Sequence, residues 1–154
     1  MKCQNDLIEN ILFHQLNSFW PTSDKDIIIS CIPDTLEFIK QNFELVINKR
    51  FNINNEVFFS PFNTVQWMIF LYRLSRCIFL KFGNVLAADQ IYYLNKILHG
   101  IDWFYSIDLP IHFCCEHPLG SVLGKAKYSD FLFVYQGTTV GGNIKKEKIY
   151  YPKI

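Results

Sequence analysis

The chain has 154 residues, of which 50% are hydrophobic and 17% are aromatic, and its formal net charge is +1. This composition argues against disorder over most of the length, and the absence of a basic stripe argues against nucleic acid as a partner. The length fits one ordinary domain, or two small units that share a core.

Residues 7–19 form the first predicted helix, because their apolar residues recur at three- and four-residue steps. Residues 20–26 break this pattern with Pro21 and offer a helix cap at Ser23 or Asp24.

The following segment is ambiguous, since residues 27–32 fit either a short strand or the start of another helix. We expect a helix to begin at Asp34, directly after Pro33, and its apolar stripe to continue to Ile47. Residues 48–56 are polar and predict a break.

Two further helices are predicted before residue 100. Ser60 followed by Pro61 predicts a cap and a first-turn proline, and the helix that follows is expected to end near Gly83. The last helix is expected over residues 87–98, with a stop at Gly100.

The most apolar stretch, residues 65–82, does not predict a membrane span. It contains Arg73, Arg76 and Lys81, and charges in the middle of a span are costly. The N-terminal residues lack the continuous apolar core of a signal peptide, so we expect a cytoplasmic protein.

The five cysteines match no zinc-binding spacing, and Cys114 and Cys115 are adjacent. Reduced thiols in a cytoplasmic protein are the simplest interpretation, and no metal is expected.

The helical period ends at Gly100. Beyond it Val122, Tyr128, Val134 and Val140 follow one another at six-residue steps, accompanied by glycines. A six-residue apolar repeat is typical of a left-handed parallel β-helix, in which one residue of each hexapeptide points inward. The predicted fold is therefore α+β, with a helical domain over residues 1–100 and a short β-helix over residues 101–154.

Ordered motifs in the second half resemble a known family. The segments "DLP", "EHPLGSVLG", "VYQGTTVGGN" and "YYPKI" are similar, in this order, to those of serine acetyltransferases, a branch of the hexapeptide-repeat acyltransferases. The match covers roughly residues 105–154, and the preceding helices are similar in character. The resemblance implies direct transfer of acetyl from acetyl-CoA to an acceptor hydroxyl.

In this resemblance the catalytic general base falls on His117, whose imidazole can take a hydroxyl proton near neutral pH. A carboxylate is expected to orient that imidazole. Asp108, which precedes a Leu-Pro pair, ranks first for this role, although it lies nine residues before His117, closer than in the family. Asp102 has nearly the family spacing but not the proline context, and it ranks second.

The acceptor is implied to be a small molecule. Glu116 stands where the family has an aspartate that meets the serine amino group, and Tyr151 stands where the family has a histidine. An uncharged phenol weakens the case for a free carboxylate on the acceptor, so a sugar or nucleotide sugar in polysaccharide assembly competes with serine. Gly141 and Gly142 fall where the family backbone runs beside the pantetheine arm of the coenzyme.

The family assembles as trimers or dimers of trimers, with each site between two subunits. Its members continue with more coils than follow here, so the chain is expected to be truncated relative to them. The alternative function is a catalytically inactive homologue that serves as an oligomerisation or interaction module.

Overall fold

The computed structural model describes residues 2–46, 50–53, 56–83, 85–145 and 148–154. It contains four helices, α1 Lys2–Phe19, α2 Lys25–Glu44, α3 Thr64–Phe82 and α4 Leu86–His99. The strands are short: β1 Asn52–Ile53, β2 Glu56–Val57, β3 Asp102–Trp103, β4 Phe113–Cys115, β5 Val122–Leu123, β6 Leu132–Val134, β7 Thr139–Val140, β8 Asn143–Lys145 and β9 Lys148–Tyr150. The fold is α+β, with the helices first along the chain.

The prediction that a helix begins at Asp34 was wrong, because α2 begins at Lys25 and continues through Pro33. Residues 27–32 are therefore helical. A proline removes one backbone donor and disfavours the helix before it, yet the helix persists because its inward face is fully buried, including Ile28, Cys31, Ile32, Ile39 and Phe43. Ile47, the predicted end of this apolar stripe, lies outside the described residues.

Helix α3 begins later than the Ser60–Pro61 pair predicted. Its N-cap is Asn63, whose Oδ1 accepts a hydrogen bond from the Gln66 amide at 3.3 Å. The Ser60 hydroxyl instead accepts from the Phe62 amide in the preceding turn. The other end was predicted correctly, since α3 stops at Gly83 with a φ of 79°.

Helix α4 is one residue longer at each end than predicted, but it stops at Gly100 as predicted, and that glycine lies in the left-handed region with a φ of 61°. Within the described part of the chain, none of the helices combines the length and the apolar character that a bilayer span requires.

After Gly100 the chain returns repeatedly to parallel ladders. Strands β3, β5 and β7 pair in that order, and β4 pairs with β6. Lys127 and Lys153 form a further parallel bridge, and between β7 and Lys153 the chain makes the antiparallel pair β8–β9. These parallel returns agree with stacked turns of chain, while closure into a left-handed β-helix stays a prediction.

The predicted inward residues need one correction. Tyr128 and Val134 are buried, but Val122 is 40% exposed and its neighbour Leu123 is 2% exposed. Leu123 pairs with Val140 in the β5–β7 ladder, so these two share one face of the sheet. The six-residue spacing therefore selected the wrong residue of this strand.

Three side chains of α3 join the helices to the strands by binding the segment between β3 and β4. The Tyr72 hydroxyl donates to the Ile107 carbonyl at 2.8 Å and accepts from the Leu109 amide at 3.2 Å. Arg73 donates to the carbonyls of residues 109, 110 and 111, and Arg76 donates to those of Tyr105 and Ile107. The two arginines of the apolar stretch thus supply donors to a segment without regular structure.

One hydrophobic core extends across residue 100. It includes Ile69, Phe70 and Ile91 from the helices and Trp103 and Phe113 from the strands. The division into units 1–100 and 101–154 stays a prediction, although it coincides with the end of α4.

Candidate functional site

Three glycines at left-handed backbone angles stack along one edge of the strand region. Gly100, Gly120 and Gly137 have φ values of 61°, 70° and 65°. The Gly120 amide donates to the Gly100 carbonyl at 2.9 Å, and the Gly137 amide donates to the Leu119 carbonyl at 2.9 Å. This edge, which we call the glycine edge, brings the end of α4 beneath the turn that contains His117.

His117 occupies that turn with a φ of 48°, a value uncommon for a residue with a side chain. Its carbonyl accepts from the Leu119 amide at 2.8 Å, which closes the turn. The imidazole is exposed, and within the described residues it makes no hydrogen bond to another side chain. It is therefore open to a ligand.

The His117 side chain lines a cleft of about 240 Å³ between the two halves of the molecule. The other walls come from the first turn of α3, the end of α4 and the turn itself: Thr64, Val65, Leu98, His99, Pro118 and Leu119. The first amide groups of a helix have no partner within it, so the α3 end of this cleft carries partial positive charge.

His99 is a second imidazole in the same cleft, and the sequence reasoning missed it. Its Nδ1 lies 2.7 Å from the Asn95 Oδ1, while the Asn95 Nδ2 donates to the Met68 carbonyl at 3.0 Å. Since Asn95 must present its oxygen to His99, the His99 Nδ1 carries the proton and Nε2 holds the free lone pair.

Burial lowers the pKa of His99 to about 4, and a hydrogen bond to the Asn95 backbone offsets only part of that effect. The imidazole is thus neutral at physiological pH. The sequence carried one signal for His99. The residue directly precedes Gly100, which stops α4, and a comparison of this helix end with the later His-Pro-Leu-Gly turn could have paired the two histidines.

The Asp108 side chain contacts helix α3. Its carboxylate accepts from Arg76 at 2.5 Å, and its side chain is 81% exposed. No hydrogen bond joins it to His117 within the described residues.

Asp102 is also engaged, by α4. It accepts from the Tyr92 hydroxyl and from Lys96, each at 2.6 Å. Partial burial raises the pKa of Asp102, but the hydrogen bonds from Lys96 and Tyr92 outweigh this and lower it below its ordinary value. Both carboxylates considered for His117 are therefore bound to other residues in the single chain.

Glu116 precedes His117 but lines a different cleft, together with His112, Cys114 and Phe131. Its amide donates to the Val134 carbonyl at 3.0 Å, which extends the β4–β6 ladder by one residue. The two adjacent residues therefore open onto separate cavities.

Tyr151 and Gly142 lie together on the last described turn of chain. A side chain at Gly142 would come within 2.9 Å of Ile149 and 3.4 Å of the Tyr151 ring. The Lys125 ammonium lies 4.9 Å from the centroid of that ring. Contacts within the chain therefore explain the glycine at residue 142, because a larger residue would collide with β9 and Tyr151.

Gly141 has no neighbouring atom within 4 Å of the place a side chain would occupy, so its backbone is open. Gly124 also leaves no room for a side chain, because a Cβ there would lie 2.7 Å from the Val140 carbonyl oxygen.

The four cysteines whose side chains are described are free, and three of them are buried. Burial raises the pKa of Cys114 and Cys115, and it raises the pKa of Cys77 to about 12. None of these three is an activated thiolate. Among the described residues no cluster of three or more His, Cys, Asp or Glu side chains offers a metal site.

A search of solved structures finds a serine acetyltransferase from Neisseria gonorrhoeae with a TM-score of 0.59 and 15% sequence identity. The match covers 84% of this chain and 52% of that one, so the chain spans about half the length of its neighbour. No protein-family model matches, and no curated protein matches. The likeness establishes an acetyltransferase-like fold.

Proposed function

We propose that this chain is an O-acetyltransferase of the serine acetyltransferase type, which transfers acetyl from acetyl-CoA to an acceptor hydroxyl. The observation that carries the proposal is His117, which lines a cleft and has no side-chain hydrogen-bond partner among the described residues, on a fold similar to that of a serine acetyltransferase. The motifs around His117 support the same reaction.

In the proposed reaction the acceptor hydroxyl attacks the thioester carbonyl carbon while His117 takes the hydroxyl proton. The tetrahedral intermediate then expels the CoA sulfur, and His117 returns the proton to that sulfur. The products are the acetyl ester and CoA with a free thiol. No acyl-enzyme is formed.

His99 has a proposed positioning role beside His117. Its free Nε2 can accept a hydrogen bond in the cleft, either from the acceptor hydroxyl or from the His117 ring. A neutral imidazole with a low pKa is a weak base, so it fixes orientation and does not compete for the proton.

We keep a carboxylate as the orienting partner of His117, with Asp108 ranked first and Asp102 second. In either case the carboxylate would have to leave its present cation, Arg76 or Lys96. The Asp108 carboxylate is the more exposed of the two, at 81% against 36% for Asp102, and exposed carboxylates gain little from an ion pair.

The proposed acceptor is serine or the hydroxyl of a sugar or nucleotide sugar in polysaccharide assembly, with Glu116 and Tyr151 as acceptor-binding residues. We propose that Gly141 and Gly142 run beside the pantetheine arm of acetyl-CoA. Since Tyr151 does not line the His117 cleft in the single chain, the proposal includes a site shared between subunits.

The rest of the proposal concerns the assembly. It comprises a left-handed β-helix over residues 101–154 following a helical domain, a homotrimer or dimer of trimers, and a cytoplasmic location. A closed ring of subunits would set the last turns of one chain against the neighbour's His117.

The test measures CoA release from acetyl-CoA by chromatography, with serine and with a panel of sugars and nucleotide sugars. The wild-type chain is compared with His117→Ala and with His14→Gln, which alters an exposed histidine of α1. We expect turnover that is lost in His117→Ala and kept in His14→Gln. Equal rates for the wild type and His117→Ala with every acceptor would reject the proposal.

Tyr151→His then tests the acceptor. If Tyr151 is what turns the site away from serine, this variant gains serine turnover while its rate with sugars falls. No gain with serine would remove Tyr151 from the acceptor site.

A second candidate function is an inactive homologue that acts as an oligomerisation or interaction module. The observation that favours it is the engagement of both Asp108 and Asp102 by cations of α3 and α4. Sedimentation and calorimetry with CoA separate the two functions. An oligomer that binds no CoA favours the module, and a trimer that binds CoA favours the transferase.

A further inference from the structure

His99 and His117 line the same cleft of about 240 Å³, but they do not touch each other. Neither a hydrogen bond nor a ring contact joins the two imidazoles within the described residues. The His117 ring is exposed and has no side-chain hydrogen-bond partner in that part of the chain. A molecule that lies between the two rings can therefore contact both.

A buried asparagine fixes which atom His99 presents to this cleft. Asn95 is 2% exposed, and its Nδ2 donates to the Met68 carbonyl at 3.0 Å, which turns its Oδ1 toward the His99 Nδ1 at 2.7 Å. The proton of His99 therefore lies on Nδ1, and Nε2 keeps a lone pair. The Nε2 atom is not among the described buried atoms that lack a partner, so it is accessible from the cleft.

The His99 Nε2 acts as a hydrogen-bond acceptor at physiological pH. Burial lowers the pKa of His99 to about 4, so this nitrogen remains unprotonated. An acceptor nitrogen requires a donor from the ligand, which a hydroxyl group supplies without carrying charge.

The other walls of the cleft favour a neutral ligand. They come from Thr64, Val65, Met68, Leu98, Pro118 and Leu119, and none of these described residues is acidic or basic. Glu116 opens onto a different cleft in the single chain. A zwitterion such as serine would bring two charges to walls without a charged partner, which is costly. The partial positive charge at the first turn of α3 further disfavours an ammonium group.

The cleft is large enough for one sugar ring. A cavity of about 150 Å³ holds benzene, which is also a six-membered ring, and this cleft exceeds that volume. Its apolar walls can pack on the C–H faces of the ring, while the two imidazoles meet hydroxyl groups at the edge.

We propose that the acceptor is a neutral sugar ring with two neighbouring hydroxyl groups, of which one gives its proton to His117 and the other donates a hydrogen bond to the His99 Nε2. This inference rests on the proposed acetyl transfer and selects a sugar over serine. The first hydroxyl forms the ester and CoA leaves with the proton, while the second hydroxyl keeps its own proton. His99 is then a specificity-determining residue.

The first test compares acetyl transfer from acetyl-CoA to serine and to the methyl glycosides of glucose, galactose and mannose. NMR of the product identifies the acetylated hydroxyl, and a deoxy analogue then replaces the neighbouring hydroxyl with hydrogen. We expect kcat/KM to be higher for a glycoside than for serine. We also expect it to fall about tenfold in the deoxy analogue, because the His99 Nε2 loses its donor.

His99→Phe and His14→Phe form a matched pair of variants. His99 lines the cleft, whereas His14 is exposed on α1. We expect His99→Phe to turn over the glycoside and its deoxy analogue at nearly equal kcat/KM, and His14→Phe to keep the tenfold preference. A purely structural role for His99 would lower both rates and leave their ratio unchanged.

A binding measurement separates this inference from the proposed function. The His117→Ala chain with ¹⁵N-labelled histidine is titrated with the same glycosides, and the His99 Nε2 resonance is followed. We expect the glycoside that binds to shift this resonance upfield and its deoxy analogue to leave it unchanged. Such binding in a protein that transfers no acetyl would reject the proposed function and support the sugar site.

Four results would overturn the inference: turnover of serine in preference to every glycoside, an unchanged deoxy ratio in His99→Phe, absence of glycoside binding, or binding that leaves the His99 Nε2 resonance unmoved. The first two can occur in an active acetyltransferase, so they contradict the sugar assignment without rejecting acetyl transfer.

Discussion

The Arg76 guanidinium donates to the Asp108 carboxylate at 2.5 Å, across the boundary between the helices and the strand region. The two side chains differ in burial, since Asp108 is 81% exposed and Arg76 is 13% exposed. Arg76 also donates to two backbone carbonyls, of Tyr105 and Ile107, whereas Asp108 has no side-chain partner other than Arg76 among the described residues.

The first prediction follows from this asymmetry. Asp108→Asn should change the free energy of unfolding by about 1 kcal/mol or less, because an exposed ion pair contributes little. Arg76→Met should cost about 1–3 kcal/mol, because it removes the donor to the Tyr105 carbonyl and leaves the Ile107 carbonyl with the Tyr72 hydroxyl alone. Urea unfolding of the two variants and the double variant measures both costs. Equal losses for the two single variants would show that the ion pair, and not the carbonyl contacts, holds this segment.

The second prediction concerns Tyr72, whose hydroxyl bridges the Ile107 carbonyl and the Leu109 amide in the core. Tyr72→Phe removes both contacts and leaves the ring, so we expect a loss of about 1–3 kcal/mol in the free energy of unfolding. Tyr135→Phe is the matched control, because that tyrosine is 53% exposed. Thermal unfolding should lower the melting temperature of the first variant only; an unchanged melting temperature for Tyr72→Phe would contradict the bridging role.

Local patterns predicted the helix ends well where glycine supplied the signal. Gly83 and Gly100 both terminate helices because a left-handed angle there is easy only for glycine. The start of α2 was mispredicted because burial of its inward face outweighs the local penalty of Pro33. The sequence contains that proline, but the partners that bury the face are distant along the chain.

The site shows the same division between local and long-range information. His117 was identified from its motif, and the turn around it is local. The engagement of Asp108 by Arg76 and of Asp102 by Lys96 depends on how α3 and α4 pack on the strands, which spacing alone does not reveal. His99 was missed for the same reason, since the hydrogen bond between Gly120 and Gly100 brings it beneath the His117 turn.

The third prediction is a pH dependence of stability that arises from His99. Its pKa is lowered to about 4 in the folded chain from an ordinary value of 6.5. Between these two values the unfolded chain binds more protons, so stability rises with pH across this window and falls as the pH is lowered through it. The contribution is about 3 kcal/mol at most, from about 1.4 kcal/mol for each pKa unit.

Urea unfolding of the wild type and His99→Gln between pH 4 and pH 7 measures this contribution. The slope of stability against pH should be shallower in His99→Gln, while His14→Gln, at an exposed position of α1, should keep the wild-type slope. Parallel curves for the wild type and His99→Gln would show that His99 is not buried as described.

The fourth prediction separates a structural glycine from a proposed ligand-contacting one. A Cβ at Gly124 would meet the Val140 carbonyl oxygen at 2.7 Å, and the backbone there cannot yield without disturbing the β5–β7 ladder. Gly124→Ala should therefore cost about 1–3 kcal/mol in the free energy of unfolding. A Cβ at Gly141 meets nothing within 4 Å, so Gly141→Ala should change stability by no more than about 0.5 kcal/mol.

If Gly141 contacts the pantetheine arm, the same harmless methyl group should raise the KM for acetyl-CoA and weaken CoA binding. Calorimetry with CoA and urea unfolding on the two variants distinguish these effects. A stable Gly141→Ala variant with unchanged CoA affinity would exclude residue 141 from the coenzyme site. A Gly124→Ala variant as stable as the wild type would mean that β5 and β7 approach less closely than the 2.7 Å contact requires.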